Sequence, residues 1–193
     1  AQAKEETPQN FSLEFKGGIW VPQGSTVKSF IGKCCHPTGG IEFGYLWHSM
    51  LGVEAGVGLS IVDGFAQSAA GAVSQDKFTL LLLPMKNSLT FRGDFFEDQI
   101  LVPYVKGGMD YVYYKESLQG TGNWGIKTGF HGTAGLQFLM EWIDPLTHYL
   151  ETEVGVNDVY FTLEGQYAKI DSFGKAGLDL SGWTLTGGLL FEF

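Results

Sequence analysis

The residues with the most evident chemical potential are two adjacent cysteines, Cys34 and Cys35, which are followed directly by His36. The Cα atoms of neighbouring residues lie only about 3.8 Å apart, which makes ordinary disulfide geometry awkward. The alternatives are a strained disulfide within the pair, a disulfide to another subunit, a metal site completed by His36, or free thiols. The stretch is too short for a zinc-binding motif, so neither a metal ion nor another cofactor is predicted.

Charged side chains of both signs recur at alternate positions along much of the chain. An isolated ion in a protein interior costs several kcal/mol even after relaxation, so charges that share an enclosed face must be paired. We expect a salt-bridged network that either fills and stiffens the interior or lines a narrow, cation-preferring pore. The predicted network comprises Glu14, Lys16, Glu42, Glu54, Lys86, Arg92, Asp94, Lys106, Asp110, Glu141, Glu164 and Glu192.

Hydrolase chemistry has little support in the sequence. The segments His48-Ser49 and His131-Gly132-Thr133 place a histidine beside a hydroxyl residue. A catalytic serine–histidine pair also needs a group that orients the base and a donor for the oxyanion, and the sequence identifies neither. Phosphate-binding loops, nucleophile elbows and HExxH motifs do not occur. We therefore predict that the chain is not an enzyme, with His48 near one rim of the fold and His131 in a loop.

The elements that must carry these residues are β-strands, because apolar and polar residues alternate with a period of two along almost the whole chain. The clearest example spans residues 51–62, where Leu, Val, Ala and Ile alternate with Gly, Glu and Ser. About eight such segments occur, a number typical of a closed up-and-down barrel. The predicted fold is an all-β, closed antiparallel barrel over residues 10–193, preceded by a polar extension over residues 1–9.

The connections between the predicted strands alternate between long and short. Asp144 can cap a helix and Pro145 suits its first turn, so a short amphipathic helix is predicted over residues 144–154 at the short-turn end. Pro84, inside the fourth strand, predicts a bulge or a bend there. The long connections are predicted at residues 21–38, 63–76, 115–130 and 172–181, and short ones at 49–50 and 96–99.

Two orientations of this barrel are compatible with the alternation. A soluble calyx has an apolar interior, whereas a membrane barrel has an apolar exterior. Glycine is abundant beside the charged residues, as expected of a crowded interior in which small and long side chains pack together. Aromatic residues concentrate at strand ends in the apolar register, as membrane-interface girdles require. These features favour a transmembrane β-barrel, with girdles formed by Trp47, Phe95, Tyr111, Tyr113, Trp142, Trp183 and Phe193.

Two stretches also resemble known outer-membrane proteins. Residues 182–193, GWTLTGGLLFEF, resemble the C-terminal assembly signal of bacterial outer-membrane barrels, and residues 102–111, VPYVKGGMDY, resemble a strand of small OmpA-like and OmpW-like barrels. The resemblance implies an integral protein of the Gram-negative outer membrane, with periplasmic termini, extracellular long loops and recognition by the barrel-assembly machinery. The residues that match the assembly signal are Trp183, Leu185, Leu189, Phe191 and Phe193.

The expected function is a structural, lipid-binding or partner-binding role for a barrel whose interior is plugged by charged side chains. The net charge of −9 argues against nucleic acid as a partner. Outer-membrane lipid, lipopolysaccharide and further copies of the chain are the expected partners. The alternatives are a narrow, porin-like channel of the OmpW type for small solutes and, with less support, a lipid-modifying enzyme.

Overall fold

The structure is a computed structural model that describes residues 10–24, 27, 35–48, 50–67, 73–96, 99–118, 121–140, 156–174 and 177–193. Eight strands run antiparallel to their neighbours and close into a barrel in chain order. The predicted closed, eight-stranded, all-β barrel is therefore confirmed. The strands are β1 (Phe11–Pro22), β2 (His36–His48), β3 (Leu51–Gln67), β4 (Val73–Arg92), β5 (Leu101–Leu118), β6 (Thr121–Leu139), β7 (Asp158–Lys169) and β8 (Gly182–Glu192).

The barrel closes where β1 pairs with β8. The Phe193 N–H donates to the Phe11 carbonyl at 2.9 Å, and the Asn10 N–H donates to the Phe193 carbonyl at 3.1 Å. We call this end of the barrel the terminal end.

The helix predicted over residues 144–154 lies outside the described residues, and no helix in the described part of the chain is long and apolar enough to cross a bilayer.

The strand register fixes the width of the barrel. A path drawn from partner to partner around all the strands starts at Phe11 and returns to β1 at Val21, so the shear of the barrel is ten residues. With eight strands this shear implies a strand tilt of about 40°, and such an interior is just wide enough for side chains to fill. The path runs through Phe11, Tyr45, Val53, Leu89, Gly107, Gly132, Tyr167, Trp183 and Val21.

The exterior of the barrel carries a continuous apolar surface, which we call the apolar belt. Each outward side chain within it is aliphatic, aromatic, methionine, proline or glycine, with the single exception of Asn87 among the described residues. Most of the inward positions between them carry charged, hydroxyl or glycine residues. The belt comprises the outward positions of residues 11–21, 37–45, 51–61, 81–91, 101–113, 130–138, 159–167 and 183–191.

Strands β3 to β6 extend well beyond their neighbours. Pairing of β2 with β3 ends at Thr38 and Ser60, and pairing of β6 with β7 ends at Phe130 and Lys169. The pairs β3–β4 and β5–β6 continue past these points, so a four-stranded sheet rises roughly 20 Å above the rest of the rim. We call it the projecting sheet.

Two predicted loops are therefore wrong. Most of residues 63–76 and 115–130 belongs to strands, leaving only residues 68–72 and 119–120 between them. The sequence failed to indicate these strands because the apolar–polar alternation weakens beyond the apolar belt, where both faces carry polar residues. His131, predicted in a loop, lies inside β6 and points inward.

Of the bulge or bend predicted at Pro84, the bulge does not occur. The β3–β4 ladder omits the partners between Val57–Met85 and Ser60–Leu82, but the register is the same on both sides of this gap. Pro84 remains paired with Val112 of β5. The missing N–H of proline thus interrupts one ladder locally without shifting it.

An apolar cluster closes the interior at the end opposite the termini. The connection from β7 to β8 turns back into the barrel, with the Leu180 N–H donating to the Ile170 carbonyl at 3.0 Å. Outside the barrel wall, Lys169 Nζ lies 3.0 Å from Asp171 Oδ2, and this hydrogen bond, together with one from the Gly174 N–H, lowers the pKa of the Asp171 carboxyl. The cluster, called the mouth cluster below, comprises Trp20, Val27, Val62, Leu80, Leu82, Val112, Ala168, Ile170 and Leu180.

The mouth cluster generates a stability prediction. Leu80→Ala removes a side chain that is 2 % exposed and leaves a cavity, so we expect a loss of about 2–4 kcal/mol in the free energy of unfolding. The control is Leu81→Ala, which truncates the neighbouring leucine on the outward face and is expected to cost much less. Urea unfolding of the full chain in detergent micelles measures both, and equal losses would contradict the inward packing of Leu80.

Candidate functional site

The centre of the barrel holds a cluster of two lysines and four glutamates: Glu14, Lys16, Glu42, Glu54, Lys106 and Glu164. Lys106, on β5, is 5 % exposed and places Nζ 2.6 Å from Glu54 Oε2 and 3.2 Å from Glu42 Oε2. Its distances to Glu14 Oε2 and Glu164 Oε1 are both 3.5 Å. One ammonium group therefore contacts carboxylates from β1, β2, β3 and β7, which ties strands on opposite sides of the barrel together.

Lys16, on β1, is the second cation of this central cluster. Its Nζ donates to Glu42 Oε2 at 2.8 Å, lies 3.1 Å from Glu14 Oε2 and also contacts Glu164 Oε1. Threonine hydroxyls satisfy carboxylate oxygens that the lysines leave free, as when Thr162 donates to Glu14 Oε1 at 2.6 Å. The cluster thus satisfies most of its buried polar atoms internally, which is the condition for placing ions in an enclosed space.

Inward glycines make room for these long side chains. A Cβ atom at Gly56 would lie 2.5 Å from Glu42 Cγ, and one at Gly188 would lie 3.1 Å from Glu14 Oε1. At Gly135 a Cβ atom would meet the Tyr104 ring at 2.4 Å. The abundance of glycine in the inward register therefore has a steric cause, since the side chains opposite each glycine occupy the space that it leaves.

A second ion pair lies at the terminal end. The Arg92 Nη1 group contacts Glu192 Oε1, and the guanidinium carbon sits 5.5 Å from the centre of the Tyr160 ring. The Tyr160 ring belongs to a buried apolar cluster with Val102, Leu139 and Leu190. Arg92 thereby links β4 to β8, the strand that ends the barrel.

A small cavity separates the central cluster from the mouth cluster. Its volume is about 60 Å³, and apolar residues of the mouth cluster line one side of it. Lys86, Asp110 and Gln166 line the other side, where Lys86 Nζ donates to Gln166 Oε1 at 2.6 Å and lies 4.0 Å from Glu42 Oε1. The interior is therefore closed by ion pairs on one side of the cavity and by apolar packing on the other.

Sequence reasoning missed a hydrogen-bonded chain of three buried residues, Ser88, His131 and Asp110. His131 Nδ1 lies 2.9 Å from Asp110 Oδ2, and His131 Nε2 lies 2.9 Å from Ser88 Oγ. Because a carboxylate only accepts, Nδ1 carries a proton, and in the neutral ring Ser88 donates to Nε2. Gly108 lies between Ser88 and His131 in the strand register and leaves their side chains free to meet.

This chain has the order of nucleophile, base and orienting group that hydrolases use. Ser88 and His131 are only 9 % and 5 % exposed, and Ser88 does not line the luminal cavity. All three side chains are buried, and the Ser88 hydroxyl is engaged by the His131 ring. The arrangement acts here as a buried hydrogen-bond network between β4, β5 and β6. Extending the period-two alternation of β6 back through residues 130–133 would have placed His131 inside.

The carboxylate oxygens of Glu14, Glu42 and Glu164 lie within 4.8 Å of one another, a spacing that a metal ion could use. Lys16 Nζ already contacts all three carboxylates. Its ammonium group takes the space and supplies the positive charge that a metal ion would bring. Among the described residues, the three carboxylates are therefore bound by the ammonium group of Lys16.

The remaining predicted site residues are placed as follows. Asp94 is half-buried just beyond the end of β4, and Asp110 belongs to the histidine chain described above. Glu141 and Cys34 lie outside the described residues, and Cys35 is half-buried directly before β2.

The five residues of the C-terminal pattern all lie on or just after β8. Trp183, Leu185 and Leu189 face outward in the apolar belt, and Trp183 packs against Tyr167 of β7 with ring centres 5.0 Å apart. Phe191 packs edge-on against Phe15 of β1. The residues of the C-terminal pattern thus form one outward face of the closing strand, which Phe193 completes.

Comparison with known proteins identifies the fold. No protein-family model and no curated protein matches the sequence. Among solved structures, the outer membrane protein OprG from Pseudomonas aeruginosa is similar with a TM-score of 0.66 and 13 % identity over 97 % of this chain and 98 % of that chain. The chain has the fold of small eight-stranded outer-membrane β-barrels. The resemblance to OmpA-like and OmpW-like barrels is confirmed at that level.

Two further structures support the same conclusion. Neisserial surface protein A is similar with a TM-score of 0.58 and 13 % identity, and the attachment invasion locus protein Ail of Yersinia pestis with a TM-score of 0.52 and 16 % identity. Each comparison covers 95 % of this chain and 97 % of the other. At these identities the similarity is one of fold, since proteins with one fold perform unrelated functions.

The central cluster generates a second prediction. Lys106→Met removes the lysine partner of Glu54 and leaves Lys16, the only other cation of the cluster, in contact with the other three carboxylates, so we expect unfolding to become easier by about 3–5 kcal/mol. Lys86→Met is the matched control, because Lys86 is more exposed and has one close hydrogen bond. Urea unfolding in lipid vesicles gives both values, and adding Glu54→Gln to Lys106→Met should restore part of the loss. Equal losses for the two lysines would show that Lys106 does not organise the cluster.

Proposed function

We propose that the chain is an integral barrel of the Gram-negative outer membrane with a structural role and a lipid-binding or partner-binding surface, and that it is not an enzyme. The observation that carries the proposal is the doubly closed interior, with the central cluster on one side of the luminal cavity and the mouth cluster on the other. A solute would have to break buried ion pairs and displace apolar side chains. A barrel closed in this way acts through its outer surfaces.

The apolar belt supports the membrane location. Aliphatic and aromatic side chains cover the exterior while charges fill the interior, the reverse of a soluble calyx. A closed ladder leaves no unpaired strand edge within the belt, which hydrocarbon would penalise by several kcal/mol per group. In this proposal the termini face the periplasm and the projecting sheet lies on the extracellular side.

The outward pattern of β8 supports a contact during assembly. Trp183, Leu185 and Leu189 form one exposed apolar row on the last strand, and Phe191 and Phe193 continue it to the end of the chain. This row matches the signal that the barrel-assembly machinery reads in outer-membrane proteins. We therefore include that machinery among the partners of the chain.

The projecting sheet supports a role in binding partners or lipid head groups. The ladder between β6 and β7 ends at Phe130, and Ser172 of the β7–β8 connection bonds Thr128. Before Thr128, no described residue pairs with β6 on that side, so this part of its edge is open. Trp124 and Ile126 on this edge strand are 67 % and 59 % exposed, and Trp124 packs against Tyr113 of β5. An open edge with exposed apolar side chains favours the addition of another strand or contact with an amphipathic surface.

The charge of the chain limits the chemistry of the partner. Ail of Yersinia pestis, similar with a TM-score of 0.53, has been crystallised in complex with the heparin analogue sucrose octasulfate. The present chain carries a net charge of −9, which disfavours a polyanion of that kind. We infer a partner that is neutral or basic, or lipopolysaccharide whose phosphates are already bridged by cations.

A narrow channel of the OmpW type is the second candidate. The central cluster contains four carboxylates and two ammonium groups, so an open lumen would favour cations or small polar solutes over anions. The cavity beside Lys86 offers a stopping point for such a solute. This candidate requires the mouth cluster to open.

The membrane location generates a third prediction. A nitroxide spin label at Val57, which is 54 % exposed in the apolar belt, should be accessible to oxygen and protected from water-soluble nickel chelates in lipid vesicles. The same label at Asp63, an exposed residue of the projecting sheet on the same strand, should show the opposite accessibility. Accessibility of Val57 to nickel chelates would reject the membrane location.

Closure of the lumen generates a fourth prediction. Wild-type protein in planar bilayers should give no conductance steps, because both closures are intact. Lys106→Met combined with Leu80→Ala weakens one closure on each side of the cavity and should produce openings, whereas each single variant should stay closed. Steady cation-selective current through the wild type would favour the channel instead.

A further inference from the structure

The apolar belt has one polar interruption, Asn87 on β4. Its outward neighbours along the strand are Met85 and Leu89, and its partners on the adjacent strands are Ala55 and Met109. Asn87 is exposed, and its carboxamide makes no hydrogen bond to any residue that the structure describes. Every other outward side chain of the described belt lacks an amide or a charge.

Asn87 lies near mid-height of the belt. Along β4, two outward positions separate it from the terminal end of the belt, and Met85, which pairs with Tyr111 of the girdle, is the next outward position in the other direction. With a rise of about 3.3 Å per residue and a tilt of about 40°, each outward step covers about 5 Å along the barrel axis. In an apolar band about 25 Å tall, the carboxamide is therefore close to the middle.

The surface around Asn87 is recessed. A groove of about 540 Å³ runs over Ala55, Asn87 and Gly107, with larger apolar side chains at its rim. A Cβ atom at Gly107 would have its nearest neighbour 3.9 Å away, so the glycine leaves open space on the outside. The backbones of β3 to β5 are thus accessible to close approach at the depth of the amide.

Small residues alone would not identify the occupant of the groove, but the unpaired amide restricts which molecules can cover it. Acyl chains offer no hydrogen bonds, and water is scarce at that depth, so an unpaired carboxamide is costly there. The occupant must bring a donor and an acceptor to the same depth. A second copy of this chain does so when it is related by a two-fold axis parallel to the membrane normal, because this operation preserves depth and places Asn87 opposite itself.

We propose that the face formed by β3, β4 and β5 is a homodimer interface centred on Asn87. The two carboxamides pair through reciprocal N–H···O hydrogen bonds, for which an amide is self-complementary. Ala55 and Gly107 allow the two barrels to approach, as small residues do between membrane segments. This inference rests on the proposed membrane location.

The test is dimerisation of the full chain in phosphatidylcholine vesicles, measured by energy transfer between copies labelled at the N-terminus with donor or acceptor dye. Asn87→Leu removes the amide and keeps the surface apolar, so we expect the association constant to fall by about threefold to thirtyfold. Asn87→Gln keeps the amide and should retain most of the association. Leu163→Ala, in the belt on β7, is the control and should leave association unchanged.

Cross-linking gives a second, independent readout. With Cys34 and Cys35 replaced by serine, Asn87→Cys should form an intermolecular disulfide in vesicles under mild oxidation, and Leu163→Cys should not. Equal cross-linking at both positions would overturn the proposed interface. A wild-type barrel that is monomeric at every protein-to-lipid ratio would overturn it in favour of lipid in the groove.

Failure of this inference can be told apart from failure of the membrane location. The spin label at Val57 is measured on the same vesicles. A label protected in lipid, combined with association that does not depend on Asn87, removes the dimer interface alone. A label accessible to nickel chelates removes the membrane location and the dimer with it.

Discussion

The ammonium groups of Lys16 and Lys106 lie among four carboxylates at the centre of the barrel, and the rest of the structure is arranged around this contact. Their partners come from β1, β2, β3 and β7, so the contact joins strands that are distant in the sequence. Without these two cations, four buried negative charges would repel one another in an enclosed space of low polarity. With them, the opposite charges are paired, and the charged side chains fill the interior as a core.

An ionic core of this kind demands a particular strand register. The shear of ten residues brings Glu14, Glu54, Lys106 and Glu164 to similar heights although their strands start at different levels. A shift of one residue in any strand would send its charged side chains to the outside. The inward glycines meet the same demand, since the interior has room for long side chains only opposite short ones.

The sequence was sufficient to predict the number of strands, their antiparallel closure and the inward direction of most charged residues. These features depend on alternation, which is local and repeats along the chain. The contacts between charges could not be predicted, because the pairing of Lys106 with Glu54 depends on a register that no single strand contains. The histidine chain was missed for a related reason: Ser88, Asp110 and His131 meet only when three strands are aligned.

The extended parts of β3 to β6 were missed for a different reason. Alternation is strong where one face must be apolar, and it fades where both faces meet polar surroundings. Residues 115–130 are rich in glycine, lysine and hydroxyl residues, a composition that is also typical of loops. Their strand structure comes from the pairing of β5 with β6 on either side of residues 119–120.

The unequal strand lengths give the barrel a front and a back when it is viewed down its axis. On one side the rim ends at Pro22, His36, Lys169 and Gly182. On the other side the projecting sheet extends beyond this level. A molecule that approaches the low side reaches the mouth cluster directly, whereas one that approaches the high side contacts the projecting sheet. Any contact with the projecting sheet therefore also fixes the rotation of the barrel about its own axis, so a partner that holds this sheet determines the direction in which the low side faces.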